Sequence, residues 1–335
     1  MCHCAMQHDL NFEPAPLGLA LQGGGSFGAF TWGVLDRLLA EPTVPLAAIS
    51  GASAGAVNGV LLADGLLAGG REEARARLAR FWRLLSDWSG VAGLPVLGSV
   101  FAMAELPVTP FGFGFSGPDP LKELLGDLVD FRRLRSERPL PLLIAATHVN
   151  SGEARIFRED EVTLDAVLAS ACLPLLREAV EIEGEPYWDG GYSANPPLRE
   201  LMTASEAESL LLVQLTPDRR PGSPRLRHDI TQRSLEIAFS APLKRELKAL
   251  EDMRWLCSQA QSDRPAFCRR LDRLRLHRLS LWDEVEDAGS ASPVNVSWPL
   301  LNRFFEAGRA AADRWLASGR GIGDTGGLIG VAAAD

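Results

Sequence analysis

Apolar residues recur in the first part of the chain in two alternating patterns, short continuous runs and longer stretches of helical spacing. The runs Leu17 to Gln22 and Leu46 to Ser50 each end at a turn of small residues, which predicts two buried strands. Apolar residues at helical spacing follow each turn, in Gly28 to Leu39 and in Ala54 to Leu67. Two successive strand–turn–helix units predict parallel strands covered by helices.

The rest of the chain continues this alternation of strands and helices. Further strands are expected at 140–149, 154–157, 181–188, 210–215 and 276–281, and further helices at 72–85, 164–170, 229–260 and 300–318. The predicted fold class is therefore α/β, with a mostly parallel central sheet. We expect flexible tails at 1–16 and 319–335 around one domain at 17–318, with its motifs within 17–215 and a helical C-terminal part at 228–318.

Residues 86–120 interrupt the periodicity, since they are rich in Gly, Pro and Phe and almost uncharged. A long irregular segment in a compact domain is either a lid or binding loop, or an insertion with little order. Its apolar character would suit an apolar ligand. Both interpretations remain open at this point.

Charge and composition restrict the function classes. The formal net charge of −9 disfavours nucleic-acid binding, which relies on a basic surface. Arginines cluster at 71–83 and at 264–278, as solvated helix faces or, in a sharper interpretation, as contacts to anionic lipid headgroups. The sequence shows neither a signal-peptide pattern nor a run of 18 apolar residues, so we expect a cytoplasmic protein with peripheral membrane contact at most.

The cysteine content also favours a cytoplasmic protein. The chain has five cysteines at irregular spacing, which does not resemble a disulfide framework and fits a reducing compartment. Cys2, His3, Cys4 and His8 carry side chains that bind metals, but a second ligand pair at zinc-finger spacing is missing. We therefore expect no metal and no cofactor.

The segment Gly51-Ala52-Ser53-Ala54-Gly55 matches the G-x-S-x-G pattern of a nucleophilic serine. This chemistry needs a serine on a sharp turn, so that its hydroxyl stands clear of the backbone. Small neighbours are needed because the strand and the helix approach each other closely there. Ser53 lies between a predicted strand and a predicted helix, as the pattern requires.

The segment Gly23-Gly24-Gly25-Ser26-Phe27-Gly28 allows two interpretations. Gly23, Gly25 and Gly28 fit the G-x-G-x-x-G fingerprint of dinucleotide binding, which requires an acidic residue at the end of the next strand. That strand instead ends at Ser50 and the serine turn. The favoured interpretation is an oxyanion hole, in which backbone N–H groups of a glycine-rich turn stabilise a tetrahedral intermediate.

A serine nucleophile needs a base, and two kinds are available. Asp189-Gly190-Gly191 follows a predicted strand, and the neighbouring Tyr187 and Trp188 would raise the pKa of the Asp189 carboxyl. An α/β-hydrolase triad would instead use His228 or His277, since the order Ser, Asp, His is satisfied. Neither histidine lies in an evident strand-end loop, which disfavours the triad.

Three elements together, Gly23 to Gly28, Gly51 to Gly55 and Asp189-Gly190, resemble the patatin-like phospholipase family, in particular bacterial cytosolic members. The resemblance covers roughly residues 17–215 and includes the run Ala169 to Pro174. It implies a three-layer α/β/α fold with a serine elbow. It also implies a Ser53–Asp189 dyad, oxyanion N–H groups from Gly24 and Gly25, and ester hydrolysis of lipids through an acyl-enzyme.

One position departs from the family pattern. Many members carry a basic residue where this chain has Phe27, and its absence removes a positive charge near the oxyanion site. The alternatives that remain are a triad esterase, a catalytically inactive lipid-binding or regulatory protein on the same fold, and a nucleotide-binding protein. The lipid class and the oligomeric state are not fixed by the sequence.

Overall fold

The structure is a computed structural model that describes residues 16–91, 119–174, 177–259, 264–286 and 288–318. The strands are β1 (Leu17–Leu21), β2 (Leu46–Ala52), β3 (Leu142–His148), β4 (Ala154–Arg158), β5 (Val180–Ile182), β6 (Glu185–Asp189), β7 (Ser209–Gln214) and β8 (Arg275–Ser280). The helices are α1 (Gly28–Leu39), α2 (Ala54–Val91), α3 (Pro120–Leu128), α4 (Phe131–Glu137), α5 (Leu164–Ser170), α6 (Leu198–Ala204), α7 (Arg227–Gln259), α8 (Ala266–Arg273), α9 (Leu281–Glu284) and α10 (Trp298–Ala317).

The strands form one mixed sheet in the order β5-β6-β3-β2-β1-β7-β8, and β4 also pairs with β3. The central pairs, from β3 through β2, β1 and β7 to β8, are parallel. The pairs of β3 with β4, β3 with β6 and β5 with β6 are antiparallel. The sheet is therefore mostly parallel, as expected, with antiparallel strands at one end.

Helices cover both faces of the sheet, so the fold has three layers. On one face, Leu17, Leu19 and Leu21 of β1 pack in a large core with α1, α2 and α10. On the other face, Ala20 of β1 and Leu210 of β7 pack with α6, α7 and α8. The central strands are buried on both faces, which is why they appear in the sequence as continuous apolar runs rather than alternating ones.

Several boundaries differ from the sequence-based expectation. The strand expected at 181–188 is a hairpin of β5 and β6, because Glu183 and Gly184 adopt positive φ angles of 55° and 84° that reverse the chain. The two helices expected at 54–67 and 72–85 are joined as α2, which is kinked at Gly69 and Gly70. The helices α3, α4, α6, α8 and α9 were not predicted.

The segment 86–120 is only partly described. Residues 86–91 belong to α2 rather than to an irregular loop, and Asp119 caps α3 by accepting a hydrogen bond of 3.0 Å from the amide of Leu121. Residues 92–118 lie outside the described residues, as do the expected tails and the Cys/His-containing N-terminus. Both interpretations of this segment, a lid or binding loop and an insertion with little order, stay predictions.

The cysteines do not behave as expected. Cys257 of α7 and Cys268 of α8 form a disulfide, with 5.4 Å between their Cα atoms, although the irregular spacing of the cysteines did not resemble a disulfide framework. The sequence did not indicate this pair, because helix α8, which carries Cys268, was not predicted. Cys172 is a free, buried thiol.

Most arginines of the two clusters are engaged in ion pairs or carbonyl contacts. Arg77 and Arg133 both bind the buried carboxylate of Asp64, whereas Arg75 and Arg309 share Asp36. In the second cluster, the pairs include Arg264 with Asp272, Arg273 with Glu208, and Arg278 with Asp218 and Asp283. This pairing favours the interpretation as ordinary helix and strand surfaces.

Across the described residues, we find no helix with both the length and the apolar character needed to span a bilayer.

Candidate active site

Ser53 stands alone in the turn between β2 and α2. Its φ angle is 52°, in the left-handed region that a non-glycine residue rarely adopts. The small neighbours are required by close approach, since a Cβ atom at Gly55 would lie 2.0 Å from the carbonyl oxygen of Leu21. The strained turn and the tight crossing are the features expected of a serine elbow.

The glycine-rich turn after β1 lies directly beside Ser53. A Cβ atom at Gly23 would be only 2.7 Å from the Cβ atom of Ser53, so only glycine fits there. In the described part of the chain, the amides of Gly24 and Gly25 donate to no other residue. These two N–H groups are therefore available for the oxyanion-hole role expected from the sequence, which stays a prediction.

Asp189 is the last residue of β6 and is fully buried. Its Oδ1 atom accepts a hydrogen bond of 2.8 Å from the amide of Gly191, and the Cβ position of Gly190 is pressed against the Ala145 carbonyl. Desolvation by burial raises the pKa of the Asp189 carboxyl to about 7, and the hydrogen bond from Gly191 and an interaction with the Ser53 hydroxyl oppose that rise. Such a carboxyl can exchange a proton near neutral pH.

The contact between Ser53 and Asp189 is close without being a formed hydrogen bond. The Ser53 hydroxyl lies near enough to lower the pKa of the Asp189 carboxyl, yet the Oδ2 atom of Asp189 has no hydrogen-bond partner among the described residues. Hydrogen bonds of catalytic groups are often long in ligand-free structures and tighten when substrate binds. An unpartnered, fully buried carboxylate oxygen beside a strained serine is costly in a folded protein, and such costs are typical of active sites.

The structure thus brings together all the site residues predicted from the sequence. Three glycine-rich turns meet at the carboxyl ends of β1 and β2 and at the end of β6; they carry Gly23, Gly24, Gly25 and Gly28, then Gly51, Ser53 and Gly55, and finally Asp189, Gly190 and Gly191.

Sequence reasoning missed two polar residues that hold these turns in place. The side chain of Asn195 is fully buried; its Oδ1 atom accepts a hydrogen bond of 2.7 Å from the amide of Gly23, and its Nδ2 atom donates to the Phe239 carbonyl at 3.0 Å. The Oγ atom of Ser170, at the end of α5, accepts a hydrogen bond of 2.9 Å from the amide of Ser53. The only sequence signal was position, since Asn195 follows the Asp189 turn and Ser170 lies in the run that resembles the family.

The C-terminal part of the chain supports the glycine-rich turn, which the sequence did not indicate. The amide of Ser26 donates to the Pro293 carbonyl at 2.7 Å. Phe27 is buried and meets Phe304 of α10 edge-to-face, with 5.5 Å between ring centroids. Phe27 therefore fills a position in the core, where it anchors α10 to the turn.

The described histidines do not reach Ser53. His277 lies in β8, three strands from β2, which corresponds to roughly 14 Å at the usual strand spacing. His148 is occupied by Ser151 and Glu185, at 2.9 and 2.8 Å. The side chain of His228 lies outside the description. Within the described ranges, no three His, Cys, Asp or Glu side chains are grouped as metal ligands.

Comparison with known proteins identifies the family of the chain. The sequence matches the Patatin-like phospholipase family over residues 19–202, which is more than half of the chain and contains all three glycine-rich turns. The chain belongs to the patatin-like phospholipase family. Membership accounts for the three-layer fold.

Individual relatives are distant. The chain is 26% identical over 233 residues to the uncharacterized protein YjjU of Escherichia coli, a match that covers 64% of this chain and 56% of YjjU. The crystal structure of VipD from Legionella pneumophila aligns with a TM-score of 0.43 and 16% sequence identity, covering 91% of this chain and 67% of that chain.

Proposed function

We propose that this protein is a serine lipid acyl hydrolase, of the phospholipase A or esterase type, that cleaves carboxylic esters with a Ser53–Asp189 dyad. Membership of the patatin-like phospholipase family supports an ester hydrolase acting on lipids. The observation that carries the dyad is the fully buried Asp189 carboxyl, whose pKa is raised to about 7 and whose Oδ2 atom has no partner in the described chain beside the strained Ser53.

In the first half of the reaction, Asp189 accepts the proton of the Ser53 hydroxyl while Oγ attacks the ester carbonyl carbon. The carbonyl oxygen becomes an oxyanion, to which the amides of Gly24 and Gly25 donate. The tetrahedral intermediate then collapses, the C–O bond to the alcohol breaks, and the leaving alcohol takes the proton from Asp189. The acyl group remains on Ser53.

In the second half, water releases the acyl group. Asp189 removes a proton from a water molecule, which attacks the acyl carbon and forms a second tetrahedral intermediate at the same glycine-rich turn. Its collapse breaks the bond to Ser53 Oγ, which takes the proton back from Asp189, and a free fatty acid leaves. A base with a pKa close to neutral serves both directions of proton transfer well.

Phe27 bears on which lipid esters the proposed site accepts. Phe27 replaces the basic residue that many family members carry after the glycines, and its ring is buried against Trp282 and Phe304. It therefore offers no positive charge to a substrate phosphate. Neutral lipid esters are included in the proposed substrate range for this reason.

A direct test combines a fluorophosphonate probe with a panel of lipid and p-nitrophenyl esters. Wild type is expected to be labelled and to hydrolyse esters, whereas Ser53→Ala should lose both properties and Asp189→Asn should lose hydrolysis. His277→Ala serves as the matched control, because His277 is remote from Ser53 and its replacement should leave hydrolysis intact.

The same assays, with one further variant and a cofactor titration, separate the alternatives. Folded His228→Ala protein without activity would indicate a histidine-dependent triad instead of the dyad. Wild type that neither reacts with the probe nor hydrolyses any ester would point to an inactive lipid-binding or regulatory protein on the same fold. A nicotinamide cofactor that binds in a titration would revive the dinucleotide interpretation of Gly23 to Gly28.

A further inference from the structure

The start of α7 and the loop before it form an exposed surface with an unusual composition. Leu226, Ile230 and Ile237 are 60%, 47% and 52% exposed. The spacing of seven residues places Ile230 and Ile237 on one face of α7, and Leu226 lies at the end of the loop immediately before that helix. Single exposed aliphatic side chains are common, but a group of large half-exposed ones indicates a surface that another molecule covers when the protein functions.

The loop beside this row carries free positive charge. Arg219, Arg225 and Arg227 are exposed, and none of the three has an ion-pair partner in the described part of the chain. The neighbouring acids do not neutralise them, since Asp218 binds Arg278, Glu236 binds Arg220 and Arg233, and Asp229 is also engaged. The arginine clusters at 71–83 and 264–278, by contrast, are largely paired.

The loop and the helix are held together as one surface. Arg220 reaches back from the loop to Glu236 of α7 at 3.0 Å, next to Ile237. We call this surface the docking patch and define it as Leu226, Ile230 and Ile237 with Arg219, Arg225 and Arg227.

Helix α7, which carries part of the docking patch, also packs against the candidate active site. Phe239 lies about 200° around the helix from Ile237, on the opposite face, and is buried. Its ring blocks the Cβ position of Gly191 at 2.2 Å and meets Tyr192 with 4.9 Å between ring centroids, while its carbonyl is held by Asn195. A molecule that binds the docking patch therefore lies about one helix diameter from the Asp189 turn.

From these observations we propose that the docking patch binds an anionic lipid surface and so presents the candidate active site to its substrate. Aliphatic side chains flanked by unpaired arginines match a membrane interface, in which apolar chains lie below anionic headgroups. The net charge of −9 would repel such a surface elsewhere on the molecule, so a local positive patch is needed for approach. The choice of a lipid rests on the proposed function, whereas the binding surface itself does not.

The test is a sedimentation assay of the full chain with two kinds of vesicle, phosphatidylcholine alone and phosphatidylcholine mixed with phosphatidylglycerol. We expect binding to the anionic vesicles only, and weaker binding at high salt, because salt screens the arginines. Removing two arginines in Arg225→Gln/Arg227→Gln should weaken binding roughly 25-fold, at about fivefold per arginine. Ile230→Asn/Ile237→Asn should weaken it by roughly tenfold or more.

Matched controls use exposed residues outside the patch. Arg132→Gln/Arg158→Gln removes the same charge from α4 and β4, and Leu256→Asn removes an equally exposed aliphatic side chain from the far end of α7. Both controls should bind as wild type does. All patch variants should retain hydrolysis of a short-chain, water-soluble ester, which shows that they are folded.

Three results would overturn the proposal. These are absence of wild-type binding to anionic vesicles, equal binding to both kinds of vesicle, and patch variants that bind as tightly as wild type. A dimer seen by light scattering that is lost in Ile230→Asn/Ile237→Asn, without vesicle binding, would reassign the patch to self-association.

The two proposals fail in different ways. Vesicle binding by a wild-type protein that hydrolyses no ester would leave the docking patch standing and reject the acyl hydrolase. Ester hydrolysis without vesicle binding would do the reverse. Ser53→Ala should bind vesicles as tightly as wild type, since it leaves the patch untouched.

Discussion

The amide of Gly191 donates a hydrogen bond of 2.8 Å to one carboxylate oxygen of Asp189, and the other oxygen has no partner among the described residues. One oxygen is thereby fixed by the turn, which orients the carboxyl, and the Ser53 hydroxyl lies near enough to influence its pKa. Burial disfavours the charged form, and one backbone hydrogen bond does not compensate for it, so the pKa of the carboxyl rises to about 7. The proton on Asp189 therefore links activity and stability to pH.

The pH dependence of activity follows from the requirement that Asp189 is ionised before it can accept the Ser53 proton. We expect kcat/KM for a neutral ester to rise with pH through an apparent pKa near 7 and then to level off. The measurement is a pH–rate profile of wild type, with His277→Ala as control. An unchanged rate between pH 5 and pH 8 would show that this carboxyl is not the base.

The stability of the fold should also depend on the protonation of Asp189, and it should decrease over the pH range in which activity increases. The folded protein holds the Asp189 proton more tightly than the unfolded chain, so the Asp189 contribution to the free energy of unfolding falls as pH rises from about 4 to about 7. Asp189→Asn keeps the shape without the charge. We expect it to raise stability by up to about 4 kcal/mol at pH 8 and to change little at pH 4. Chemical denaturation of both proteins at the two pH values measures this, and a pH-independent difference would contradict it.

The left-handed backbone at Ser53 separates two ways of removing the hydroxyl. Alanine must adopt the same φ of 52° and keeps the strain, whereas glycine reaches this angle without it. Ser53→Gly should therefore be more stable than Ser53→Ala by about 1 kcal/mol, although both should be inactive. Urea unfolding of the two variants tests the point, and equal stabilities would show that the turn relaxes when the side chain is lost.

The sequence allowed the central strands and the glycine-rich turns to be predicted because local rules determine them. Strands such as β1 and β7, buried on both faces, must be continuous apolar runs, and a serine elbow must have small neighbours. The exposed hairpin at Glu183 and Gly184 was missed, since two short strands with a two-residue turn look like one alternating strand.

Other parts of the site depend on contacts distant in the chain, which no local pattern encodes. Asn195 is 172 positions from the Gly23 amide that it binds, and Pro293 is further still from Ser26. The unpaired arginines of the docking patch could not be recognised from the sequence either, because a sequence does not show which charged residues have an ion-pair partner. Only the folded arrangement shows that most arginines of the two larger clusters are engaged, whereas Arg219, Arg225 and Arg227 have no ion-pair partner in the described part of the chain.

The disulfide between α7 and α8 is predicted to stabilise the fold without serving catalysis. Cys257 and Cys268 are 11 positions apart, and closing a loop of this length is worth about 3 kcal/mol in the chain-entropy treatment. Cys257→Ser/Cys268→Ser should lower the melting temperature by several degrees and leave kcat on a soluble ester unchanged. Added reductant should shift the melting temperature of wild type but not that of the variant. A reductant shift in both would mean that this disulfide is not the bond being broken.

Asn195 is predicted to act as a positioning residue for the oxyanion turn. Its replacement in Asn195→Ala leaves the Gly23 amide buried without this partner, at a cost of about 1–3 kcal/mol, and removes the hydrogen bond to the Phe239 carbonyl. Because Gly23 lies against Ser53, a displaced turn should also lower kcat roughly tenfold or more while KM changes little. The comparison is with Cys257→Ser/Cys268→Ser, which should be similarly destabilised yet fully active. If Asn195→Ala loses stability but keeps the wild-type kcat at a temperature where it is folded, Asn195 only holds α7 to the core and does not position the turn.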